Sequence, residues 1–391
     1  MDARDPMSTP AIPCRGRPLS HVWNFYGARP NTSRVLTPDE KNGRFSVMKM
    51  KAALLTGPEK IIFDEIDAPP PGAGEVRIRP ALAGVCGTDI SIYKGHRPTE
   101  YPFVQGHEVM GRVTETGAGV TKFKIGDRVI VEPNYPCGGC ALCRQGRGAV
   151  CAHKTAMGVN IPGCFSEYAT APAEFVWAVP DAISDSDAVT IEPLAVSLHG
   201  LFRSGAKPGD TATVLGCGVV GLLLIHAAVN MGLRVIAHDI FTEKLAMARS
   251  LGAEIPQENE DTAEFWARKN VTTVFECAGV PGTAELAFSA APRGANIVLL
   301  GLSSFPAKFV PLKIVREGIN ILTSMIYDHP ADFARAIELV ASGRLRPSKV
   351  VTDVYPLSDI SAAMERAASG TAGKVLLRWP APDAEMKNPV R

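Results

Sequence analysis

The sequence predicts an α/β protein in which a β-rich domain is joined to a doubly wound parallel-sheet domain, and three observations predict it. Between Lys51 and about Pro180, short apolar runs are separated by Gly and Pro, the punctuation of strands and turns. Between about Ala206 and Ile326, strand-like runs alternate with helical stretches, as crossover helices of a parallel sheet require. A glycine fingerprint stands directly after the first of these runs.

In chain order, residues 1–47 carry six prolines and scattered arginines without apolar periodicity, and read as a disordered extension. A start site placed too far upstream would give the same pattern, with Met48 or Met50 as the natural beginning. Strands are expected at Lys51–Leu55, around Val76-Arg77-Ile78 and at Arg128–Val131, then at Thr211–Leu215, Val235–Ala237, Thr273–Phe275 and Ile297–Leu300. An amphipathic helix near Phe333–Ala341 and a strand near Lys374–Leu377 close the chain. A length of 391 residues exceeds what one core usually holds. The division expected is 48–195 with 328–391 as one domain and 196–327 as the other.

Composition narrows the function. The chain is 46% hydrophobic, with 41 basic residues against 40 acidic, so no global field attracts nucleic acid or an anionic membrane. The longest apolar stretch, Val219–Val229, is too short to span a bilayer, and the N-terminal residues show no signal-peptide core. A cytoplasmic, reducing location follows, because most of the nine cysteines sit at metal-ligand spacing.

Gly216-Cys217-Gly218-Val219-Val220-Gly221 is the dinucleotide fingerprint in its proper context, between a strand and a helix. Gly216 permits the turn, Gly218 lets a pyrophosphate approach the backbone, and Gly221 allows close helix packing. The free N–H groups at the helix start then face the phosphates. Asp239, eighteen residues past Gly221, is placed to bond a ribose 2′-hydroxyl and to repel a 2′-phosphate, which favours NAD over NADP. Ile240 and Phe241 follow it rather than arginines, and Lys244 reaches the same ribose if its helix begins at Thr242.

Cys137, Cys140, Cys143 and Cys151 give four thiolates from one short loop, which suits a closed structural zinc site. The spacing alone also fits an iron–sulfur cluster or a redox pair. Elsewhere Cys86, His107 with Glu108, and Glu192 are dispersed. Each alone reads as a buried small residue, a satisfied core histidine or a surface charge.

Together, in this order, these motifs resemble the zinc-containing medium-chain dehydrogenases over nearly everything from Met50 to Trp379. The resemblance implies that the β-rich part is a GroES-like catalytic domain and the other a Rossmann domain. It further implies a catalytic zinc held by Cys86 and His107 with either Glu108 or Glu192, the pattern of the polyol (sorbitol-like) and L-threonine dehydrogenase branch. Thr88 matches the hydroxyl that takes the substrate proton. Where many relatives carry a histidine three residues later, this chain has Ser91, which leaves water or His96 to pass the proton on.

The reaction implied is hydride transfer between NAD and a secondary alcohol of a polyol, sugar or sugar acid. L-Threonine is the alternative, because Met157–Phe165 resembles threonine dehydrogenases whereas Met325–His329 departs from them. By the same analogy Arg316 would reach the pyrophosphate, Tyr93 would line the pocket, and the chain would form a homotetramer or homodimer. A non-catalytic NAD-binding sensor would be expected to lose the catalytic ligands, and a zinc-free reductase would lack both zinc motifs. This chain keeps them all.

Overall fold

The computed structural model describes residues 48–257 and 260–380. The expected N-terminal extension therefore lies outside the described residues, as do residues 381–391.

A mixed sheet forms the β-rich part. Its strand order is Val176–Ala178, Arg128–Val131, Glu108–Thr116, Glu75–Gly84, Lys374–Arg378 and Val351–Pro356, with Ala169–Pro172 also pairing with Glu75–Gly84. The last two strands of that order run parallel to each other. A smaller antiparallel sheet sets Lys49–Gly57 between Lys60–Asp67 and Phe103–Val104. Alternation explains these strands: Val76, Ile78 and Leu82 point into the core while Arg77 and Arg79 point away from it.

The second sheet is wholly parallel, in the order Arg234–His238, Thr211–Leu215, Val271–Glu276, Asn296–Leu299 and Asn320–Thr323. A further parallel bridge, Ile236 to Glu254, extends it past the first strand of that order. The chain leaves Thr211–Leu215 to one side and later returns on the other. This reversal opens a crevice at the carboxyl ends of the strands, where doubly wound sheets bind ligands.

Two helices position the site. Val219–Asn230 is apolar around most of its circumference, with Leu222 to Ile225, Ala227 and Ala228 in the core and the polar His226 buried among them. Ile191–Arg203 turns Ile191, Leu194, Leu198 and Leu201 inward, and these pack in one cluster with Leu82, Met110 and Ile130 of the mixed sheet and Val214, Leu222 and Phe275 around the parallel sheet. The expected boundary between 195 and 196 thus falls inside a helix whose core both halves share. Among the described residues, no helix is long and apolar enough to cross a membrane.

Candidate active site

Cys86 caps the start of the Gly87–Tyr93 helix, and Asp89 in its first turn completes the arrangement by accepting the Cys86 N–H at 2.9 Å. The same carboxylate is fully buried. Its other oxygen accepts from Gly106 N–H at 3.3 Å and lies 3.5 Å from His107 Nδ1. Gln105 Nε2 donates to the Asp89 carbonyl at 2.9 Å, so one residue ties the Cys86 turn to the segment carrying His107.

That segment is held by close backbone packing. Gly106 has φ +96°, and a side chain there would meet the Phe165 ring at 2.4 Å. A Cβ at Gly158 or Gly163 would lie within 2.3 Å of the backbone at Gly106 or Gln105. Cys164 and Phe165 donate their N–H groups to Gly106 and Gln105. The Met157–Phe165 stretch therefore buttresses the loop bearing His107.

Glu108 opens the next strand opposite Gly84, where a Cβ would fall 1.8 Å from Glu108 Oε2. Lys374 Nζ holds both Glu108 oxygens, at 2.6 and 2.7 Å, and donates to the Val85 carbonyl at 3.1 Å. One ligand atom from each of Cys86, His107 and Glu108 lies within 4.8 Å of the others. Glu192, in the first turn of Ile191–Arg203, does not join that group but faces it. Burial pushes its carboxyl up to about 7, with Glu108 adding to the shift and His107, Lys374 and a hydrogen bond from Tyr327 opposing it. Burial alone would lower the His107 imidazole; the charges of Asp89 and Cys86 outweigh it and hold His107 well above its ordinary value.

A thiolate, an imidazole and a carboxylate converging in a buried place are a donor set that fits zinc with a position left open. Among the described residues His107 Nδ1 makes no hydrogen bond, and the nearest charge is the Asp89 carboxylate at 3.5 Å. Thr88 lies half-buried in the first turn after Cys86, and its hydroxyl has no partner among the described residues. The start of that helix is capped by Cys86 and Asp89. His96 is exposed, and its N–H donates to the Ser91 carbonyl. Tyr93 turns its hydroxyl to the Glu59 carbonyl at 3.5 Å, in a separate surface cleft with Lys94 and Glu365, and so does not line this site.

The four-cysteine loop is built from the short Ala141–Arg144 helix and a 3₁₀ turn at Gly148–Val150. Its four sulfurs lie within 4.8 Å of one another, with Cys140 3.4 Å from Cys143 and 3.8 Å from Cys151, and Cys137 3.9 Å from Cys143. A tetrahedron of Zn–S bonds near 2.3 Å has edges of about 3.8 Å, so the spacing suits zinc. Backbone N–H groups of Cys143 and Cys137 hold the Cys140 and Cys151 thiols below their ordinary value, while burial and the neighbouring Cys140 and Cys151 push the Cys143 thiol up to about 12.

At the parallel sheet, Gly216 has φ +95° with Ala278 pressed against it, and Gly218 caps the Val219–Asn230 helix. A Cβ at Gly221 would sit 2.0 Å from the Gly216 carbonyl oxygen. Val219 and Val220 form the opening turn of that helix. Asp239 Oδ2 accepts the Cys217 N–H at 2.6 Å and its Oδ1 accepts from Phe241 at 2.9 Å, which fixes the carboxylate beside the glycine turn.

The helix carrying Lys244 begins at Thr242, as expected, and the ammonium is buried and donates to the carbonyl of Ala372. Burial lowers its pKa, against the raising effect of Asp239. Arg316 stands exposed at the end of Pro311–Arg316. Two residues escaped sequence reasoning: Asp89, which its place three residues after Cys86 could have betrayed, and Lys374, for which a lysine opening an apolar strand gave no signal.

Two family models match this chain: the alcohol dehydrogenase GroES-like domain over residues 72–181 and the zinc-binding dehydrogenase over 219–342. The starvation-sensing protein RspB of Escherichia coli K12 is 33% identical over 81% of this chain and 94% of its own length. A protein of that name from E. coli CFT073, described as an alcohol dehydrogenase and solved with NADH, superposes with a TM-score of 0.80 at 32% identity, covering 84% of this chain and 99% of that one. Sorbitol dehydrogenase of Bacillus subtilis is 31% identical over 81% of this chain and 93% of its own. A zinc-binding dehydrogenase of Sinorhizobium meliloti 1021, solved with NADP, has a TM-score of 0.79 at 30% identity, covering 85% and 99%.

Proposed function

The chain belongs to the zinc-dependent medium-chain dehydrogenases, alcohol-oxidising enzymes with polyol dehydrogenases among their number, and from that premise we propose that it oxidises a secondary alcohol of a polyol, sugar or sugar acid with NAD. The observation that carries this reading is the convergence of Cys86, His107 and Glu108 within 4.8 Å, with Glu192 facing them.

Cys86 and His107 would hold a catalytic zinc with one of the two glutamates, and Cys137, Cys140, Cys143 and Cys151 a structural one. A bound zinc supplies Lewis acidity toward the alcohol oxygen. Thr88, whose hydroxyl has no other partner among the described residues, takes the substrate proton. Gly216, Gly218, Val219, Val220 and Gly221 at the helix start would hold the pyrophosphate, and Asp239 would accept a hydrogen bond from the ribose hydroxyl. The unpaired cysteines suit a reducing cytoplasm. The exposed apolar side chains of Leu302, Phe305, Val310, Leu312 and Val315, near the edge strand Asn320–Thr323, favour a homodimer or homotetramer.

The test is metal content per chain together with reduction of NAD and of NADP against polyols, sugar acids, L-threonine and simple alcohols. Two zinc ions with NAD-linked oxidation of a polyol or sugar acid are expected. One zinc and no cofactor reduction on any alcohol would overturn the reading in favour of a cofactor-binding sensor.

A further inference from the structure

The helix that carries Glu192 is tied to one neighbouring segment at two places. Glu192 and His199 stand seven residues apart on Ile191–Arg203, about two turns along one face. At the first place the Tyr327 hydroxyl reaches the Glu192 carboxylate. At the second, His199 Nδ1 bonds Asp332 Oδ2 at 2.7 Å, and that oxygen also accepts the Asp328 N–H at 2.9 Å. Residues 327–332 are held from another side as well. Asn134 Nδ2 donates to the Tyr327 hydroxyl at 2.8 Å, and Glu132 Oε2 takes His329 Nδ1 at 2.8 Å. Ile326, which leads into this segment, has φ +48°, a costly conformation for a β-branched residue that these contacts hold in place.

Asn134 sets the direction of Tyr327. An amide N–H can only donate, so it occupies a lone pair of the hydroxyl and leaves the phenolic proton for the other partner, Glu192. Tyr327 is 2% exposed and its ring packs edge-on against Phe333 at 5.1 Å, so the hydroxyl has little room to turn elsewhere. A buried carboxylate gives up such a bond only for a partner at least as strong. Resting on the catalytic metal site proposed above, we infer that Tyr327, aimed by Asn134, is the positioning residue of Glu192 and restrains this carboxylate beside the metal, so that the fourth position stays open for the substrate. Without the restraint, Glu192 is free to turn toward Cys86, His107 and Glu108 and to close the tetrahedron with a fourth protein donor, as in a structural site.

Cobalt(II) in place of zinc gives a readout that needs no turnover, since its visible ligand-field bands report the donor set. Wild type should take two cobalt ions per chain. Y327F keeps the ring and removes only the hydroxyl. Its bands should shift in the absence of substrate, and a chelator should strip the catalytic-site metal about tenfold more slowly, the reverse of what a merely loosened site would show. E192Q removes the anionic donor, so the double variant Y327F/E192Q should match E192Q in bands and release rate. N134A, which frees the Tyr327 hydroxyl to rotate, should shift the bands in the same direction as Y327F and slow release about twofold or more.

Unchanged bands or faster release in Y327F, or a shift that persists in the double variant, would overturn the inference while leaving the proposed function standing. A single cobalt per chain in wild type would overturn both. If Y327F does not fold, the N134A arm decides the matter alone, and wild-type bands there overturn the inference.

Discussion

Asp89 bridges Cys86 and His107: one carboxylate oxygen takes the Cys86 N–H at 2.9 Å and the other lies 3.5 Å from His107 Nδ1. A carboxylate behind a metal-binding imidazole fixes the ring and strengthens it as a donor. Asp89→Asn keeps the size and an acceptor for Cys86 but removes the charge. Affinity for the catalytic metal should fall about 10- to 100-fold, read by competition with a chromogenic chelator. Wild-type affinity in this variant would show that the contact serves only the turn.

Gly84 leaves room for Glu108 and nothing more, since a Cβ there would stand 1.8 Å from Oε2. The Gly84→Ala methyl must displace the carboxylate and its Lys374 partner, at a cost of about 1–3 kcal/mol in stability. Turnover should drop at least tenfold. Gly57→Ala, where the nearest atom is the Lys60 Cδ at 3.9 Å, should leave both quantities close to wild type. Thermal melts and steady-state rates of the two variants, measured side by side, decide this.

Much of this was legible in the sequence, for a physical reason. Strands such as Arg128–Val131 and Thr211–Leu215 are set by local apolar pattern, and the glycine turn at 216–221 by backbone conformations and close approaches that glycine alone tolerates. The motifs that converge at the site could be noticed one by one, but their meeting point depends on strand register, as when Gly84 pairs with Glu108. Lys374 reaches Glu108 across 266 residues of chain, and Lys244 reaches Ala372 across 128, so no spacing rule could pair them. For Lys244 the helix start was readable, but the direction of a long flexible side chain is decided by tertiary partners, here the Ala372 carbonyl.

The proposed preference for NAD rests on Asp239, whose two oxygens are held by Cys217 and Phe241 N–H groups. Asp239→Ser should raise the KM for NAD about tenfold or more, as expected when a charge-assisted hydrogen bond is lost, and should relieve the repulsion against a 2′-phosphate. The ratio of kcat/KM for NAD over NADP should therefore collapse. A ratio that stays at its wild-type value would mean that another group reads the ribose.

Removing one thiol of the four-cysteine loop should separate structure from chemistry. Cys143 lies near two of the other sulfurs, so Cys143→Ser leaves an incomplete tetrahedron. Metal content should fall by about one per chain, and Tm should drop by about 4 °C or more. If the metal content is unchanged, the loop holds no ion in wild type.

His238 makes stability depend on pH. Trp266 Nε1 donates to His238 Nε2 at 3.0 Å, a bond that needs an unprotonated acceptor, and burial pushes the imidazole down to about 4. The unfolded chain, with an ordinary histidine near 6.5, binds a proton between those values while the folded state does not. The stabilisation is therefore fully present above about pH 6.5 and is lost as pH falls toward 4, with an upper bound of about 3 kcal/mol. His226, whose Nε2 accepts from Arg346 N–H at 3.1 Å and which burial also pushes down to about 4, acts in the same direction. His238→Gln keeps an acceptor for Trp266 without a titrating group, so urea midpoints measured from about pH 7 to pH 4.5 should fall less steeply than in wild type. Parallel slopes in the two proteins would assign the acid sensitivity to other groups.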